Sequence, residues 1–301
     1  MYDYPMYPYY STMTKCEEQP ITFPPQHQNQ QPGLEYVMCP RPIAENPHYT
    51  GSGKLRDRTV LITGGDSGIG RAVAIACAKE GAAVAFAYLY EEVDAEETRA
   101  RIEQLGGRVL AMKADLRSRA ACCDIVEQTL RRFGRLDVLI NNIGVQYPQH
   151  SLLDITEEQL EQTFRTNVFS FFFVTQAALP HLKPGSSIIN TASVTAYRGE
   201  KTLIDYSSTK GAIVSFTRSL SLSLVEQGIR VNAVAPGPIW TPLIPSSFPA
   251  DRVSVFGSDT PMKRAGQPFE LAPAYIYLAS DDSRYVTGET MHVNGGGFIT
   301  S

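Results

Sequence analysis

The stretch TGGDSGIGR at residues 63–71 follows directly on the apolar run TVLIT at residues 59–63. Glycine loses more backbone entropy on folding than any other residue, so a loop this rich in glycine indicates that its backbone passes close to a ligand. Gly64 suits a tight exit from a strand, Gly68 lets the backbone approach a pyrophosphate, and Gly70 lets the following helix pack on the sheet. A plain strand-to-helix turn is the alternative interpretation of this loop.

Strand-like and helix-like segments alternate through the chain after residue 50. Short apolar runs rich in β-branched residues occur at residues 59–63, 82–88, 108–113, 136–142, 186–191, 229–235 and 290–295. Segments with apolar residues at helical spacing lie between them, among them residues 70–81, 96–107, 120–134 and 270–280, the last with Pro273 in its first turn. This alternation predicts an α/β fold, a Rossmann-type doubly wound parallel sheet in a single domain over residues 51–301.

Composition and charge exclude several classes of protein. The chain of 301 residues is 43% hydrophobic and has a formal net charge of −4, which gives no indication of a nucleic acid or an anionic membrane as partner. No apolar run reaches the roughly 20 residues of a membrane span, and the N-terminus lacks the pattern of a signal peptide. The odd number of cysteines, with no CxxC pair, predicts reduced thiols in a cytoplasmic protein without a metal site; they are Cys16, Cys39, Cys77, Cys122 and Cys123.

The first fifty residues differ in composition from the rest and are expected to form an N-terminal arm. They are rich in Tyr, Pro and Gln, and the sequence FPPQHQNQQPG at residues 23–33 has no helical or strand period. Residues 1–20 are expected to be mobile. Residues 21–50 space apolar side chains among prolines, which predicts an extended segment docked on the dinucleotide domain or a neighbouring subunit, where it adds stability. A flexible tail is the alternative. Near the other end, the loop-rich residues 241–268 are expected to form a lid over the substrate.

Three residues that could carry acid–base chemistry lie at one edge of the predicted sheet. In the sequence TASVTAYRGEKTLIDYSSTKGA, Tyr206 and Lys210 are four residues apart and share a helix face, and Ser193 ends the preceding strand. A neighbouring ammonium favours a phenolate, so Lys210 is expected to lower the pKa of Tyr206. Tyr206 would then exchange a proton with an alcohol or carbonyl while Ser193 holds and polarises the substrate oxygen.

Four motifs occur in a characteristic order: the glycine loop, NNIG at residues 141–144, the Ser–Tyr–Lys set, and APGPIWTP at residues 235–242. Together they resemble the classical subgroup of the short-chain dehydrogenase/reductase family, from about residue 55 to the end of the chain. A closer likeness is to a branch that combines TGGDSGIGR with an FPPQ…QPG arm and includes glucose and ribitol dehydrogenase homologues and bacterial general stress oxidoreductases. The resemblance implies a supporting role for Asn167 toward a proton-relay water, and a catalytic tetrad of Asn167, Ser193, Tyr206 and Lys210.

The resemblance also implies a nicotinamide cofactor, NAD(P)(H), at the carboxyl edge of the sheet. Lys210 is expected to reach the nicotinamide ribose, and Asp115 to lie near the adenine. Ala87 stands where an acidic residue would select NAD, but Glu91 and Glu92 should repel a 2′-phosphate, which gives a slight preference for NAD. The residues expected to bind the cofactor are Gly64, Asp66, Ser67, Gly68, Ile69, Gly70, Tyr88, Asp115, Leu116, Asn142, Gly144, Tyr206, Lys210, Pro236, Gly237, Ile239 and Thr241.

The expected function is an oxidoreductase that transfers hydride between this cofactor and a small alcohol or carbonyl, with a sugar, polyol or aldehyde as substrate. A 3-oxoacyl thioester reductase and a non-catalytic dinucleotide-binding scaffold are the alternatives, and an enoyl reductase would need a wider Tyr–Lys spacing. The scaffold hypothesis predicts damage to the Ser–Tyr–Lys set, which is intact. The resemblance also implies pairing of subunits through the long helices expected at residues 156–182 and 205–227. Their apolar residues exceed what one buried face requires, so a homotetramer is expected.

Overall fold

A seven-stranded parallel sheet forms the centre of the computed structural model, which describes residues 12–14, 18–20 and 22–299. In chain order the strands are β1 (Thr12–Thr14), β2 (Glu18–Pro20), β3 (Thr59–Thr63), β4 (Ala83–Tyr88), β5 (Val109–Lys113), β6 (Val138–Asn141), β7 (Ser187–Thr191), β8 (Arg230–Pro236) and β9 (Thr290–Val293). The order across the large sheet is β5-β4-β3-β6-β7-β8-β9, so the direction of winding reverses between β3 and β6. This confirms the predicted doubly wound Rossmann-type sheet, and the reversal places a ligand crevice at the carboxyl ends of these strands.

Helices cover both faces of the sheet. They are α1 (Gly68–Lys79), α2 (Glu92–Gln104), α3 (Arg119–Phe133), α4 (Glu157–Phe164), α5 (Ser170–Ala178), α6 (Thr195–Arg198), α7 (Ile204–Leu224), α8 (Ala250–Ser254) and α9 (Pro268–Ala279). Successive side chains of β3 point to opposite faces. Val60 and Ile62 join the core that contains α1 and α9, whereas Leu61 joins the core that contains α3 and α5. A central strand buried on both faces explains why its three middle residues are all apolar.

Two helices differ from the sequence-based expectation. The last helix begins at Pro268, because Gln267 and Glu270 form a capping box, so Pro273 lies inside the helix and not in its first turn. The segment expected as one long helix over residues 156–182 is divided: α4 and α5 flank a π-helical turn at Arg165–Phe169. Such turns often occur at functional sites, and this one contains Asn167.

The N-terminal arm combines a short hairpin with an irregular segment. β1 and β2 pair antiparallel, a regular structure that the sequence did not predict at these six residues. The other residues of the segment expected to be mobile, 1–11 and 15–17, lie outside the described residues, as does Cys16.

Residues 22–50 contain no helix or strand and are attached to the domain at both ends. Phe23 stacks on Trp240, with ring centroids 3.6 Å apart, and the Trp240 indole N–H donates to the Pro40 carbonyl at 2.9 Å. Further along, the Glu45 carboxylate pairs with Lys79 of α1 and Arg101 of α2, each at 2.7 Å. The arm therefore contacts the segment that follows β8 at one end, and at the other end it contacts α1 and α2, which pack on the sheet.

Within the ranges that the structure describes, none of the helices has the length and apolarity needed to cross a membrane.

Candidate active site

A cleft of about 860 Å³ opens along the carboxyl edge of the sheet. It extends from Asp115, after β5, past the glycine loop to Pro236 at the end of β8, and residues 241–244 and 255–259 cover part of it. The volume lies within the range of about 300–1,000 Å³ that is usual for small-molecule sites. Its position matches the crevice that the reversal of strand order predicts.

The glycine loop has a backbone that only glycine accommodates without strain. Gly64 and Gly68 have φ values of 68° and 51°, in the left-handed region. A Cβ on Gly70 would lie 1.7 Å from the Gly64 carbonyl oxygen, so α1 could not begin against the loop with a larger residue there. The Ser67 side chain makes no capping hydrogen bond to α1, and Gly64, Ser67, Gly68 and Ile69 line the cleft. The Gly68 N–H at this helix N-terminus donates to the Glu35 carboxylate at 2.6 Å, and the remaining N–H groups fit the pyrophosphate of a dinucleotide.

Buried amides connect the glycine loop to the strands beside it. The Asn142 side chain donates to the Gly64 carbonyl at 3.0 Å and accepts from the Thr191 hydroxyl at 3.1 Å. Asn141 donates to the side chain of Asn190, on the neighbouring strand, at 2.9 Å. The two asparagines of the NNIG motif thus fix the spacing of β3, β6 and β7 where the strands end, and they hold the shape of the cleft.

Ser193, Tyr206 and Lys210 meet at the β7 end of the cleft. All three line it, and none is more than 8% exposed. The Lys210 ammonium donates to the Thr191 carbonyl at 2.9 Å, which fixes its long side chain. The Ser193 oxygen accepts from the Thr195 N–H at 3.1 Å and from the Thr195 hydroxyl at 3.0 Å. Both contacts use the Ser193 oxygen as acceptor, and the Ser193 hydroxyl also makes a hydrogen bond with Tyr206, so the two side chains that would contact a carbonyl oxygen lie side by side.

Burial controls the ionisation of the tyrosine and the lysine. It raises the pKa of Tyr206 to about 12, although a hydrogen bond with Ser193 offsets part of this shift. It also lowers the pKa of Lys210 to about 7, because the interior disfavours the charged ammonium. The expectation that Lys210 lowers the Tyr206 pKa was therefore wrong for this structure. Tyr206 is a neutral phenol near pH 7, which suits it to give a proton to a carbonyl.

Asn167 lies behind the cleft and holds two of its elements together. It is fully buried in the π-helical turn, where its side chain accepts from the Val145 N–H at 2.8 Å and donates to the Val145 carbonyl at 2.9 Å. A further hydrogen bond joins it to the Thr209 hydroxyl at 3.1 Å. Asn167 thus ties the loop after β6 to α7, the helix that carries Tyr206, and its contacts make it a positioning residue.

Acidic residues lie at the opposite end of the cleft, after β4. Burial raises the pKa of the Asp66 carboxyl to about 7, and the nearby charge of Glu91 adds to the shift. The Glu91 carboxylate accepts from the N–H groups of Leu89 and Tyr90 at 3.0 and 2.7 Å. Glu92 is exposed and pairs with Lys113. Of the two glutamates that were expected to repel a phosphate, Glu92 is thus paired with a lysine, whereas Glu91 lines the cleft.

The structure brings most of the predicted site residues to the cleft. Two do not line it: Gly70 packs against the loop, and Asn167 lies behind it. Asp115 lines the cleft beside Arg117, whose guanidinium pairs with it at 2.7 Å and lowers the pKa of that carboxyl. The predicted residues that line the cleft are Gly64, Asp66, Ser67, Gly68, Ile69, Tyr88, Asp115, Leu116, Asn142, Gly144, Ser193, Tyr206, Lys210, Pro236, Gly237, Ile239 and Thr241.

Several lining residues escaped sequence reasoning, namely Gln31, Pro32, Gly33, Tyr90, Arg117, Gln146 and Arg252. The first three belong to the N-terminal arm. The QPG sequence was a visible signal of a turn, but nothing in it indicates which part of the domain the turn would contact. Among the described residues, no group of three or more His, Cys, Asp or Glu side chains could hold a metal ion.

Comparison with known proteins identifies the family. The family model described as "Enoyl-(Acyl carrier protein) reductase" matches residues 64–297. A solved short chain dehydrogenase from Burkholderia cenocepacia J2315, in complex with NADP, aligns with a TM-score of 0.77 at 31% identity, over 81% of this chain and 99% of that chain. The chain belongs to the short-chain dehydrogenase/reductase family. This confirms the resemblance drawn from the sequence motifs, and the family consists of oxidoreductases that use NAD(P).

Two relatives are similar over almost their whole length. The glucose and ribitol dehydrogenase of Daucus carota is 51% identical over 283 residues, covering 92% of this chain and 97% of the relative. The NADPH-dependent aldehyde reductase 1, chloroplastic, of Arabidopsis thaliana is 52% identical over 283 residues, covering 92% and 98%. Both similarities extend beyond the residues that the family model matches, and therefore into the N-terminal arm.

Proposed function

We propose that this short-chain dehydrogenase/reductase catalyses the NADP(H)-dependent interconversion of a small carbonyl compound and its alcohol, with an aldehyde or a sugar as substrate. The observation that carries the proposal is the meeting of Ser193, Tyr206 and Lys210 at one end of a cleft whose other side is the glycine loop. A bound nicotinamide supplies or accepts the hydride. The chain's own residues hold the carbonyl oxygen and move the proton.

The protonation state of Tyr206 favours carbonyl reduction. With its pKa raised to about 12, Tyr206 keeps its proton at neutral pH and can donate it to the oxygen of a carbonyl that is being reduced. The Ser193 hydroxyl polarises the same oxygen. Among the described residues, Lys210 is the cationic side chain that lies beside Tyr206, Phe171 and the Thr191 carbonyl. Once Tyr206 has given up its proton, a protonated Lys210 stabilises the resulting phenolate.

Our preference for NADP(H) replaces the slight preference for NAD drawn from the sequence. The Arabidopsis relative is named NADPH-dependent, and the Burkholderia structure holds NADP, which weighs against NAD. The local geometry is consistent with this change, because Glu92 pairs with Lys113. Burial raises the pKa of the Asp66 carboxyl and so favours its neutral form. Repulsion of a 2′-phosphate by these two carboxyls is correspondingly reduced.

The substrate end of the cleft is formed by the segment after β8, which we propose acts as a lid. Phe248, Val255 and Phe256 supply apolar contacts, and Arg252 and the carboxyl of Asp259 line the same region. This mixture suits a small, partly polar carbonyl compound. The names of the two relatives support the same class, since one refers to glucose and ribitol and the other to aldehydes.

A substrate panel tests the proposal. Purified protein is assayed with NADPH and NADH against an aldose, a short aldehyde, a 3-oxoacyl thioester and an enoyl thioester, and with NADP⁺ and NAD⁺ against a polyol. We expect the fastest turnover with the aldehyde or the sugar and with NADPH. Preferred turnover of either thioester would replace the proposed substrate class. Dinucleotide binding with no turnover of any compound would favour a non-catalytic scaffold.

We also propose that the protein forms a homotetramer. Phe169 and Phe172, beside and on α5, are 44% and 40% exposed, and Leu222 on α7 is 79% exposed. Such side chains on the long helices leave an apolar surface that a second copy could cover. Light scattering at micromolar concentration should give four times the mass of the chain, and a monomeric mass would contradict the proposal.

A further inference from the structure

A short part of the N-terminal arm lies over the cleft. We refer to residues 28–35 as the strap, and within it Gln31, Pro32 and Gly33 line the cleft together with the glycine loop and the residues after β4 and β6. The strap has no regular secondary structure. It therefore depends on side-chain and backbone contacts with the rest of the molecule for its position.

One end of the strap is attached to the glycine loop by a buried charge cluster. The Glu35 carboxylate accepts from the Gly68 N–H at 2.6 Å and pairs with Arg71 at 2.7 Å. The Glu35 N–H donates to Asp94 at 2.7 Å, and Glu35 is 1% exposed. Breaking a buried ion pair is strongly unfavourable, so this end of the strap is firmly held. It contacts the helix N-terminus that fits the pyrophosphate.

The other end is attached by neutral hydrogen bonds. Gln31 accepts from the Gln146 N–H at 3.1 Å and donates to the Gln146 carbonyl, and weaker contacts at 3.4 Å reach Ser246 and Ser247. The Gln28 N–H donates to the Pro245 carbonyl at 2.8 Å. These partners lie after β6 and in the lid. Neutral, partly exposed hydrogen bonds exchange readily with water, so this end can be released.

A third contact crosses to the adenosine end of the cleft. The Tyr90 hydroxyl donates to the Pro32 carbonyl at 2.5 Å. Gly33 packs so closely on the lid that a Cβ there would lie 2.4 Å from the Pro242 carbonyl oxygen. The strap thus spans the cleft from the residues after β4 to the residues after β6.

We propose that the strap is the outer wall of the dinucleotide site and holds the bound cofactor in place, with Gln31 and Glu35 as cofactor-positioning residues. The inference rests on the proposed binding of a nicotinamide dinucleotide in this cleft. A dinucleotide that lies between the glycine loop and the strap can leave only when the Gln31 end separates from Gln146 and the lid. The Glu35 end stays bound to Arg71 and acts as the fixed point. Opening of the strap then limits the rate of cofactor release.

The test is the dissociation rate of NADPH, followed by its fluorescence in a stopped-flow displacement experiment with the full chain. Gln31→Ala removes the contacts with Gln146, and Tyr90→Phe removes only the hydroxyl that holds Pro32. We expect each variant to release NADPH about tenfold faster, a change that corresponds to about 1.4 kcal/mol. Gln26→Ala is the matched control, since Gln26 is half-buried and, among the described residues, makes its side-chain hydrogen bonds within the arm, to Pro24 and Cys39. It should release NADPH at the wild-type rate.

A second pair of variants separates positioning from general stability. Glu35→Gln and Glu45→Gln make the same substitution in the same arm, and both remove ion pairs with α1 or α2. Only Glu35 contacts the glycine loop. We expect both to lower the melting temperature, whereas only Glu35→Gln weakens NADPH binding, by about tenfold or more. Equal NADPH affinities for the two variants would show that Glu35 acts on stability alone.

Different outcomes overturn the two proposals. If the wild-type protein binds neither NADPH nor NADH, the dinucleotide site is wrong and the role of the strap falls with it. If the wild-type protein binds NADPH and both Gln31→Ala and Tyr90→Phe release it at the wild-type rate, the strap proposal alone is overturned. Hydrogen exchange gives an independent readout: the amides of residues 28–35 should exchange more slowly when NADPH is added.

Discussion

The two ends of the cleft are built in different ways. At the catalytic end, Ser193, Tyr206 and Lys210 are almost fully buried. Ser193 follows β7 directly, the other two belong to α7, and the Thr191 carbonyl holds the lysine. At the strap end, Gln31 and Pro32 come from a segment without regular structure and are held by hydrogen bonds to neighbouring loops. One end is part of the packed interior, and the other is placed on its surface.

This difference corresponds to the two tasks of a dinucleotide-dependent enzyme. Proton transfer requires groups whose distances vary little, and positions on buried strands and helices provide this. Exchange of the cofactor at every turnover requires a wall that can open, and neutral contacts between loops provide this. Variants at the catalytic end should therefore change the chemical step, and variants at the strap end should change binding and release.

The largest expected effect follows from Tyr206→Phe, because it removes the phenol proton that is proposed to pass to the substrate oxygen. The turnover number should fall by about 10²–10⁴, the usual contribution of a positioned acid, while the affinity for NADPH stays unchanged. Tyr197→Phe is the matched control, since among the described residues the buried Tyr197 hydroxyl has no hydrogen-bond partner. Turnover of Tyr206→Phe at the level of Tyr197→Phe would contradict the role of Tyr206.

Lys210→Met should lower turnover by about a hundredfold or more and at the same time stabilise the fold. Burial lowers the Lys210 pKa to about 7 from its usual value near 10.5, so the folded state binds its proton less readily than the unfolded state. The resulting loss of stability is greatest below pH 7 and disappears as the pH rises toward 10.5. The melting temperature of Lys210→Met should therefore exceed that of the wild type at pH 7, and the gap should close by about pH 10. A gap that widens with pH would contradict the assignment.

Much of the catalytic end could be predicted from the sequence, because it depends on regular structure. A spacing of four residues places Tyr206 and Lys210 on one helix face whatever the surroundings, and apolar runs located the strands of the large sheet to within two residues at each end. The pKa of Tyr206 could not be predicted in the same way. It depends on how deeply α7 buries the phenol, which is a property of the packed molecule and outweighs the sequence proximity of the lysine.

The strap end was predicted only in outline. Prolines and spaced apolar residues indicated an extended, docked segment. The residues that Gln31, Glu35 and Phe23 contact, however, are all more than thirty positions away in the sequence. A contact between an irregular segment and a distant loop leaves no periodic pattern in the sequence from which it could be predicted. The start of α9 at Pro268 was missed for a related reason, since the capping box of Gln267 and Glu270 was not recognised.

Gly70→Ala tests whether the glycine loop belongs to the rigid part of the cleft. Its Cβ would lie 1.7 Å from the Gly64 carbonyl oxygen, so the loop or α1 has to move. We expect destabilisation of about 1–3 kcal/mol and NADPH binding weakened by about tenfold to a hundredfold. Gly211→Ala, in α7, is the control because nothing lies within 4 Å of its Cβ, and it should melt at or above the wild-type temperature. Equal NADPH affinities for the two variants would remove the glycine loop from the site.

The smallest expected effect concerns the choice of cofactor. Glu92→Gln releases Lys113 from its exposed ion pair, next to Tyr88 at the adenosine end of the cleft. Exposed pairs contribute little energy, so the ratio of kcat/KM for NADPH to that for NADH should rise by about twofold to fivefold without a change in melting temperature. An unchanged or lower ratio would mean that Lys113 does not reach the ribose region.

The cleft has one end for chemistry and one end for cofactor retention, and one paired measurement tests that division most directly. The NADPH dissociation rate and the single-turnover rate of carbonyl reduction are measured for Tyr206→Phe and Gln31→Ala in parallel. Tyr206→Phe should lose single-turnover reduction and release NADPH at the wild-type rate, whereas Gln31→Ala should release NADPH about tenfold faster and reduce the carbonyl at the wild-type rate. If either variant changes both rates to a similar extent, the two ends do not act separately and the account is wrong.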